Sequence, residues 1–374
     1  MNKIQMVDLV GQYQKIKNEI DTAIQETINQ SAFINGAAVG QFREELSAFL
    51  DKAHVVTCAN GTDALQIALM ALDLKPGDEV ITSNFTFIAT VEVISLLGLK
   101  PVLVDVDPVT FNIDPVEIRK AIGSRTKAIL PVHLFGQAAP MAEIMDLAGE
   151  YGLTVIEDAA QALGANYKFP DGRMERAGTI GKIGTTSFFP SKNLGCFGDG
   201  GALFSRSKEL AEKMQILSNH GSRIKYHHDV IGLNSRLDTI QAAILRIKLK
   251  YLGEYNAARK KAAEFYNDKL GHHPEIVIPG LSGTGNHIYH QYTLRILNGK
   301  RDRLKSSLAK LNIPSMVYYP IPLSLQKAFQ YSGYRKGDFP ITEKLCNEVL
   351  SLPMHTELQP EQQEYIVNSL LANI

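Results

Sequence analysis

Lys192 is a lysine in an unusually apolar stretch of sequence. It lies in Thr185-Thr-Ser-Phe-Phe-Pro-Ser-Lys-Asn-Leu-Gly-Cys-Phe-Gly-Asp-Gly-Gly201, between the end of a predicted strand and a glycine-rich turn. Burial among apolar neighbours favours the neutral amine and lowers the pKa of a lysine from its ordinary value of about 10.4. The neutral amine is the form that attacks an aldehyde, so Lys192 is predicted to be a nucleophile rather than a solvated surface charge.

Asp158 is the acid that could work with this lysine. It belongs to Val155-Ile-Glu-Asp-Ala-Ala-Gln161 and stands at the carboxyl end of a predicted buried strand, where a carboxylate is costly unless a cation meets it. Alternatively, Asp158 caps a short helix that begins at Ala159. A desolvated lysine and a carboxylate at neighbouring strand ends are the two parts of a pyridoxal 5'-phosphate (PLP) site, a Schiff-base lysine and a partner for the pyridinium nitrogen.

A site for PLP also needs a place for the phosphate and a cover for the ring. Asn60-Gly61-Thr62 follows a predicted strand and opens a helix, so its amides and the helix dipole could hold a dianion. Ser187, on the strand that leads to Lys192, could add a hydroxyl to the same phosphate. Phe87 could cover one face of the ring, although a place in the ordinary core is an equal alternative.

The elements that must position these residues follow an α/β pattern. Apolar runs at 55–57, 79–82, 101–106, 128–132, 153–157, 184–188 and 201–204 alternate with helical patterns at 61–72, 86–97, 115–122 and 140–151. Continuous apolar strands between helices predict a mostly parallel sheet covered on both faces. Ligands of such sheets bind beyond the carboxyl ends of the strands, where Asp158 and Lys192 are expected.

The second part of the chain has a different order of elements. One or two long helices are predicted over 234–270, followed by a strand-like run at 289–296, a helical pattern at 301–311 and two terminal helices. We therefore predict a large cofactor-binding domain with an N-terminal segment over 1–250 and a smaller α+β domain over 251–374.

Composition excludes several classes of protein. The formal net charge is +0, so no overall field attracts the chain to nucleic acid or to an anionic membrane. The three cysteines, Cys58, Cys196 and Cys346, fit neither a disulfide framework nor a zinc site, and the histidine pairs at 227–228 and 272–273 lack a third matched ligand. We expect a cytoplasmic protein with no metal, no nucleic-acid partner and no membrane span.

Six motifs in order carry a specific family resemblance. They are Asn-Gly-Thr-Asp-Ala-Leu (60–65), Phe-Thr-Phe-Ile-Ala-Thr (85–90), Ile-Glu-Asp-Ala-Ala-Gln (156–161), Ser-Phe-Phe-Pro-Ser-Lys-Asn-Leu-Gly (187–195), Gly-Leu-Asn-Ser-Arg-Leu-Asp (232–238) and Tyr-Tyr-Pro-Ile-Pro-Leu (318–323). Together they resemble the DegT/DnrJ/StrS family of PLP-dependent nucleotide-sugar aminotransferases. The resemblance implies the aspartate-aminotransferase-like fold (fold type I), with a mostly parallel seven-stranded sheet and a smaller C-terminal α+β domain.

The resemblance also implies a role for each candidate residue. Lys192 would hold the cofactor and shuttle the proton, and Asp158 would keep the pyridine nitrogen protonated. The other implied cofactor contacts are the phosphate ligands Gly61, Thr62 and Ser187, the stacking ring Phe87, the 3-hydroxyl partner Gln161, and Asn234. Asn234 would reach the phosphate of the neighbouring subunit in a homodimer with shared sites; alternatively, Asn234 and Ser235 cap the long helix.

Within the family, the sequence resembles most the branch that aminates UDP-2-acetamido-2-deoxy-3-oxo-glucuronate, with L-glutamate as donor, for surface polysaccharide. Arg236 would then meet the sugar carboxylate or the pyrophosphate, and Tyr318 and Tyr319 would contact the sugar. Ser324 departs from the family, because many relatives have histidine there, and this puts the sugar in doubt. The alternatives are a 3- or 4-aminotransferase for a dTDP- or UDP-linked 6-deoxy keto sugar and a PLP-binding regulator without turnover.

Overall fold

A computed structural model describes residues 3–374 and gives fourteen strands among them. The strands are β1 (His54–Cys58), β2 (Glu79–Ser83), β3 (Lys100–Val104), β4 (Thr126–Leu130), β5 (Thr154–Asp158), β6 (Asn166–Lys168), β7 (Met174–Arg176), β8 (Ile183–Ser187), β9 (Gly201–Ser205), β10 (Ser222–Ile224), β11 (His227–His228), β12 (Ile276–Val277), β13 (Tyr292–Ile296) and β14 (Val349–Leu352). Each strand of the predicted sheet occurs within a few residues of its expected position.

Twelve α-helices accompany the strands in the described part of the chain. They are α1 (Leu9–Lys15), α2 (Lys17–Asn29), α3 (Ala37–Phe49), α4 (Gly61–Ala71), α5 (Ala89–Leu96), α6 (Pro115–Ala121), α7 (Met141–Tyr151), α8 (Lys208–Leu217), α9 (Thr239–Leu270), α10 (Arg301–Lys310), α11 (Pro340–Glu348) and α12 (Pro360–Leu371). Short 3-10 turns lie at Leu134–Gly136, Leu323–Leu325 and Lys327–Ser332.

The central sheet has seven strands in the order β1-β9-β8-β5-β4-β2-β3. The pairs from β8 through β3 are parallel, whereas β9 runs antiparallel to both of its neighbours. The predicted mostly parallel seven-stranded sheet of fold type I is therefore confirmed.

Both faces of this sheet are buried, which explains why its strands read as continuous apolar runs. Neighbouring residues of one strand point to opposite faces. Val80, Leu130 and Ile156 pack in one cluster with α4 and α8, and the residues beside them, Ile81, Ile129 and Val155, pack in another with α6 and α7.

The helix α9 joins this sheet to a smaller C-terminal unit. In its first half Leu245 and Leu252 pack with the core beside α3, and in its second half Tyr266 and Leu270 pack under the antiparallel sheet β12-β13-β14 with α10 and α12. The smaller α+β unit is confirmed as part of the fold. The predicted limits 1–250 and 251–374 divide one continuous helix and stay a prediction.

The described residues include no helix that is both long enough and apolar enough to cross a membrane.

Candidate active site

The sheet brings three of its strand ends to one edge. Strands β5 and β8 are parallel with Asp158 opposite Thr185, so Asp158 and Ser187 both end a strand at the same edge. Strand β9 pairs Gly201 with Ser187 on one side and with Cys58, the last residue of β1, on the other. The turn that follows β1 therefore also lies at this edge, where ligands of α/β sheets bind.

That turn places the beginning of α4 against Ser187. The side chain of Asn60 caps the helix by accepting the amide of Asp63 at 2.8 Å. A Cβ atom at Gly61 would lie only 2.7 Å from the Cβ of Ser187, so only glycine allows this approach. The amides of Gly61 and Thr62 have no protein acceptor among the described residues, as expected of a helix start that binds a phosphate.

Asp158 is a buried carboxylate without an ion pair in the described part of the chain. The residue is only 5% exposed. Its Oδ1 accepts the amide of Ala160 at 3.1 Å, and its Oδ2 accepts the hydroxyl of Thr90 at 3.0 Å. Burial raises the pKa of Asp158, while these two hydrogen bonds and the nearby Lys192 lower it. The alternative that Asp158 caps a short helix at Ala159 is wrong, because only a turn follows β5; the bond to Ala160 belongs to that turn.

Lys192 faces the same region from the loop between β8 and β9. Burial lowers the pKa of Lys192 to about 8, and the charge of Asp158 opposes that shift. The backbone of the loop is closed by hydrogen bonds from Lys192 N to Phe189 O at 2.8 Å and from Cys196 N to Phe188 O at 2.8 Å. The lysine is therefore held on a rigid turn, and a useful fraction of its amine is neutral near neutral pH.

The lowered pKa of Lys192 predicts how the cofactor-free protein takes up PLP. Because only the neutral amine reacts, the rate at which the visible absorbance appears should rise about tenfold per pH unit below pH 8 and level off above it. The variant Asp158→Asn removes the charge that raises the pKa of Lys192, so its midpoint should move to lower pH. The rates are measured by stopped-flow absorbance. A midpoint near the ordinary lysine pKa would contradict the lowered pKa of Lys192.

An aromatic wall stands beside this pair. Phe87 is 55% exposed, so the alternative that it belongs to the core is wrong, and its ring lies 6.4 Å from that of Tyr319. Gln161 donates from Nε2 to Tyr319 Oη at 3.2 Å and accepts the amide of Phe135 at 2.8 Å. Tyr318 is half-buried, with its ring 6.0 Å from that of Tyr319.

Asn234 and Arg236 belong to a segment that contacts the turn before α4. The hydroxyl of Ser235 accepts the amide of Ala59 at 3.0 Å, which holds the segment beside the turn that leads to Gly61. Asn234 is exposed, and Arg236 donates to Asn219 Oδ1 at 3.3 Å. The alternative that Asn234 and Ser235 cap the long helix is wrong, because α9 begins at Thr239 with Asp238 in the cap position.

Sequence reasoning missed Thr90 and Lys248 and did not predict the buried contact that Ser324 makes. Thr90 donates to Asp158, and Lys248, which is 1% exposed on α9, donates to the carbonyl of Gly195. Ser324 is buried against Asn84: its hydroxyl accepts from Asn84 Nδ2 at 3.1 Å, and its amide donates to Asn84 Oδ1 at 2.8 Å. Only Thr90 could have been found from a local pattern, its spacing of four residues from Thr86. The contacts of Lys248 and Ser324 join distant parts of the chain.

These residues fit PLP. The amides of Gly61 and Thr62 have no protein acceptor among the described residues, the pKa of Lys192 is lowered, and each oxygen of the buried Asp158 carboxylate has only one protein donor. A carboxylate oxygen can accept more than one hydrogen bond, so Asp158 retains capacity for a ring nitrogen.

The fold is that of PLP-dependent aminotransferases. The chain belongs to the DegT/DnrJ/EryC1/StrS aminotransferase family, whose pattern matches residues 14–371. It is a PLP-dependent sugar aminotransferase.

Several curated relatives match almost the whole chain. A pleiotropic regulatory protein of Geobacillus stearothermophilus is 46% identical over 98% of this chain and 97% of its own. The UDP-2-acetamido-2-deoxy-3-oxo-D-glucuronate aminotransferase of Pseudomonas aeruginosa is 44% identical over 98% and 99%. The UDP-N-acetyl-3-dehydro-alpha-D-glucosamine 3-aminotransferase of Acidithiobacillus ferrooxidans is 44% identical over 96% and 95%.

A solved structure agrees with the fold throughout its length. The S. venezuelae DesV protein, in complex with a ketimine intermediate, superposes with a TM-score of 0.94 at 38% identity, covering 99% of this chain and 98% of that one.

Proposed function

We propose that the chain moves an amino group from L-glutamate to UDP-2-acetamido-2-deoxy-3-oxo-glucuronate, giving a 3-amino sugar for surface polysaccharide such as O-antigen. The observation that carries the chemistry is the half-buried amine of Lys192, with its lowered pKa, near the strand-end carboxylate of Asp158. The choice of sugar is supported by the 44% identity to the Pseudomonas aeruginosa enzyme of that name.

Lys192 and Asp158 divide the proton chemistry between them. When bound, PLP supplies an electron sink for the charge left on carbon when a proton is removed. Lys192 Nζ would hold the cofactor and, as the free amine, would move the proton between the carbon of the amino donor and the cofactor. The Asp158 carboxylate would keep a proton on the ring nitrogen, and its burial would strengthen that interaction because the local dielectric is low.

The remaining candidates bind and orient the cofactor. The first-turn amides of α4 at Gly61 and Thr62 and the hydroxyl of Ser187 hold the phosphate, Phe87 covers the ring, and Gln161 bonds the 3-hydroxyl. In a homodimer, Asn234 completes the phosphate site of the neighbouring subunit. Its exposure in the isolated chain supports this role.

We assign recognition of the sugar to Arg236, Tyr318 and Tyr319. Arg236 meets the carboxylate or the pyrophosphate of the nucleotide sugar, because guanidinium groups bind both in a bidentate way. Tyr318 and Tyr319 contact the sugar from the aromatic wall that they form with Phe87. We place the reaction in the cytoplasm, where nucleotide sugars are made.

A second candidate is a 3- or 4-aminotransferase for a UDP- or dTDP-linked keto sugar that lacks the carboxylate. It is favoured by Ser324, which replaces a possible sugar-contacting histidine and is hydrogen-bonded to Asn84. It is also favoured by the equal 44% identity to the Acidithiobacillus ferrooxidans enzyme.

Activity on paired sugars separates the two candidates. We expect kcat/KM for the 3-oxo-glucuronate to exceed that for its counterpart without the carboxylate by about 10- to 100-fold, the size of one charged hydrogen-bonded contact. Arg236→Gln should remove that preference. The product is measured by mass spectrometry of the amino sugar and the release of 2-oxoglutarate from glutamate; equal rates on both sugars would reject the preferred substrate.

A further inference from the structure

Thr90 is a buried hydroxyl whose hydrogen bond does not serve its own helix. It lies in the first turn of α5 and is 0% exposed. A helical threonine commonly bonds the carbonyl four residues earlier. Here the Thr90 hydroxyl lies 3.0 Å from Asp158 Oδ2, 68 residues away in sequence. It links α5 to the carboxylate at the end of β5.

The direction of this hydrogen bond follows from the chemistry of its partner. A carboxylate can only accept, so the single hydroxyl proton of Thr90 goes to Asp158. The hydroxyl of Thr86, one turn earlier and 3.4 Å away, must then donate to the oxygen of Thr90. The two threonines form a buried relay that ends on Asp158 and fixes which way each hydroxyl points.

Asp158 depends on very few donors. Oδ1 has the amide of Ala160 and Oδ2 has Thr90, and the carboxylate has no ion pair within the described residues. Without Thr90, Oδ2 would be a buried charged oxygen with no protein donor, which favours the protonated acid.

We propose that Thr90, oriented by Thr86, is a positioning residue that keeps the Asp158 carboxylate ionised and aimed at the cofactor. This inference rests on the proposed role of Asp158 at the ring nitrogen and adds a residue to which no role has been assigned. Thr90 acts through Asp158 and is not expected to touch cofactor or substrate.

The near-isosteric variant Thr90→Val tests the proposal. In the holoenzyme, the reaction with L-glutamate alone, followed as loss of the visible absorbance, should be about 10- to 100-fold slower at pH 7, since a charge-assisted hydrogen bond is lost. Removing the donor raises the pKa of Asp158 further, so the deficit should shrink as the pH rises and the carboxylate ionises again. Thr90→Ser keeps the hydroxyl and should restore most of the rate.

The other titrating groups near Asp158 must be separated from this effect. They are Lys192 in the loop after β8, His133 after β4, and Tyr319 from the segment before Leu323–Leu325. The substitution leaves all three groups in place. The ratio of variant to wild-type rates at each pH therefore reports the effect of the ionisation of Asp158.

A matched control removes a similar hydrogen bond elsewhere. Thr82 on β2 is 0% exposed and donates to the carbonyl of Leu130 at 2.7 Å, without any link to Asp158. Thr82→Val should cost stability without changing the pH dependence of the rate. If Thr90→Val behaves as Thr82→Val does, or loses rate equally at every pH, the inference is overturned. If Asp158→Asn itself retains full activity, the proposed role of Asp158 fails instead.

Discussion

The variant Lys192→Ala is expected to have no measurable turnover and no visible absorbance from a lysine-bound cofactor. Lys192 is the group that both holds the cofactor and moves the proton, so its loss should lower the rate by at least about 10³-fold, as expected for removal of a nucleophile and a general base together. The measurements are the absorbance spectrum of the purified protein with PLP and the release of 2-oxoglutarate from glutamate with a keto sugar.

Lys182 offers a control on the same strand region. It is exposed and precedes β8 at the edge opposite to the site, so Lys182→Ala should keep both the absorbance and the rate. Persistence of the absorbance and turnover in Lys192→Ala would reject the assignment of Lys192.

The variant Asp158→Asn is expected to separate cofactor binding from catalysis. Asparagine keeps the shape and still accepts the amide of Ala160, but it cannot hold a positive charge on the ring nitrogen. The visible absorbance should therefore persist while kcat falls by about 10²- to 10³-fold, the cost of removing one preorganised electrostatic contact.

Asp114 provides the comparison for Asp158. Its carboxylate accepts the amide of Val116 at 2.8 Å and caps α6, the same local role that Asp158 has for Ala160, but far from Lys192. Asp114→Asn should leave kcat unchanged. An Asp158→Asn enzyme with wild-type kcat would mean that the carboxylate only stabilises the turn at Ala160 and takes no part in catalysis.

The fold was predictable because its strands are buried on both faces. Val80 and Ile81 pack into different clusters, as do Val155 and Ile156, and this two-sided burial produces the unbroken apolar runs that mark a parallel sheet. The short hairpin strands β6, β7, β10 and β11 were missed, because two or three residues carry no periodicity. The strand β14 was not predicted, because it follows α11 directly and continues the helical pattern of that segment.

The site was predictable where its chemistry is local in sequence. Lys192 stands out by its apolar neighbours and Gly61 by its place between a strand and a helix. Lys248 did not stand out, because its neighbours Arg246 and Lys250 make the segment look like a solvated helix face, although Lys248 is buried. Its donation to the carbonyl of Gly195 joins residues 53 positions apart, and only the packing of α9 against the loop reveals it.

The helix α9 also explains how the smaller unit can influence Lys192. Asn256 on α9 accepts from Asn193 Nδ2 at 2.7 Å, and the carbonyl of Ile288 accepts from the same nitrogen at 3.1 Å. The residue next to Lys192 is thus held both by the helix that joins the two units and by the segment that leads to β13.

The decisive measurement must distinguish Lys192 from Lys248, a second lysine with a lowered pKa. Burial lowers the pKa of both Lys192 and Lys248 to about 8, so reactivity of the amine alone would allow either to hold the cofactor. Borohydride reduction of the holoenzyme fixes the cofactor on its lysine, and peptide mass spectrometry locates it. We predict a single modified peptide containing Lys192; modification of Lys248, or of several surface lysines without Lys192, would contradict the assignment on which the proposed mechanism depends.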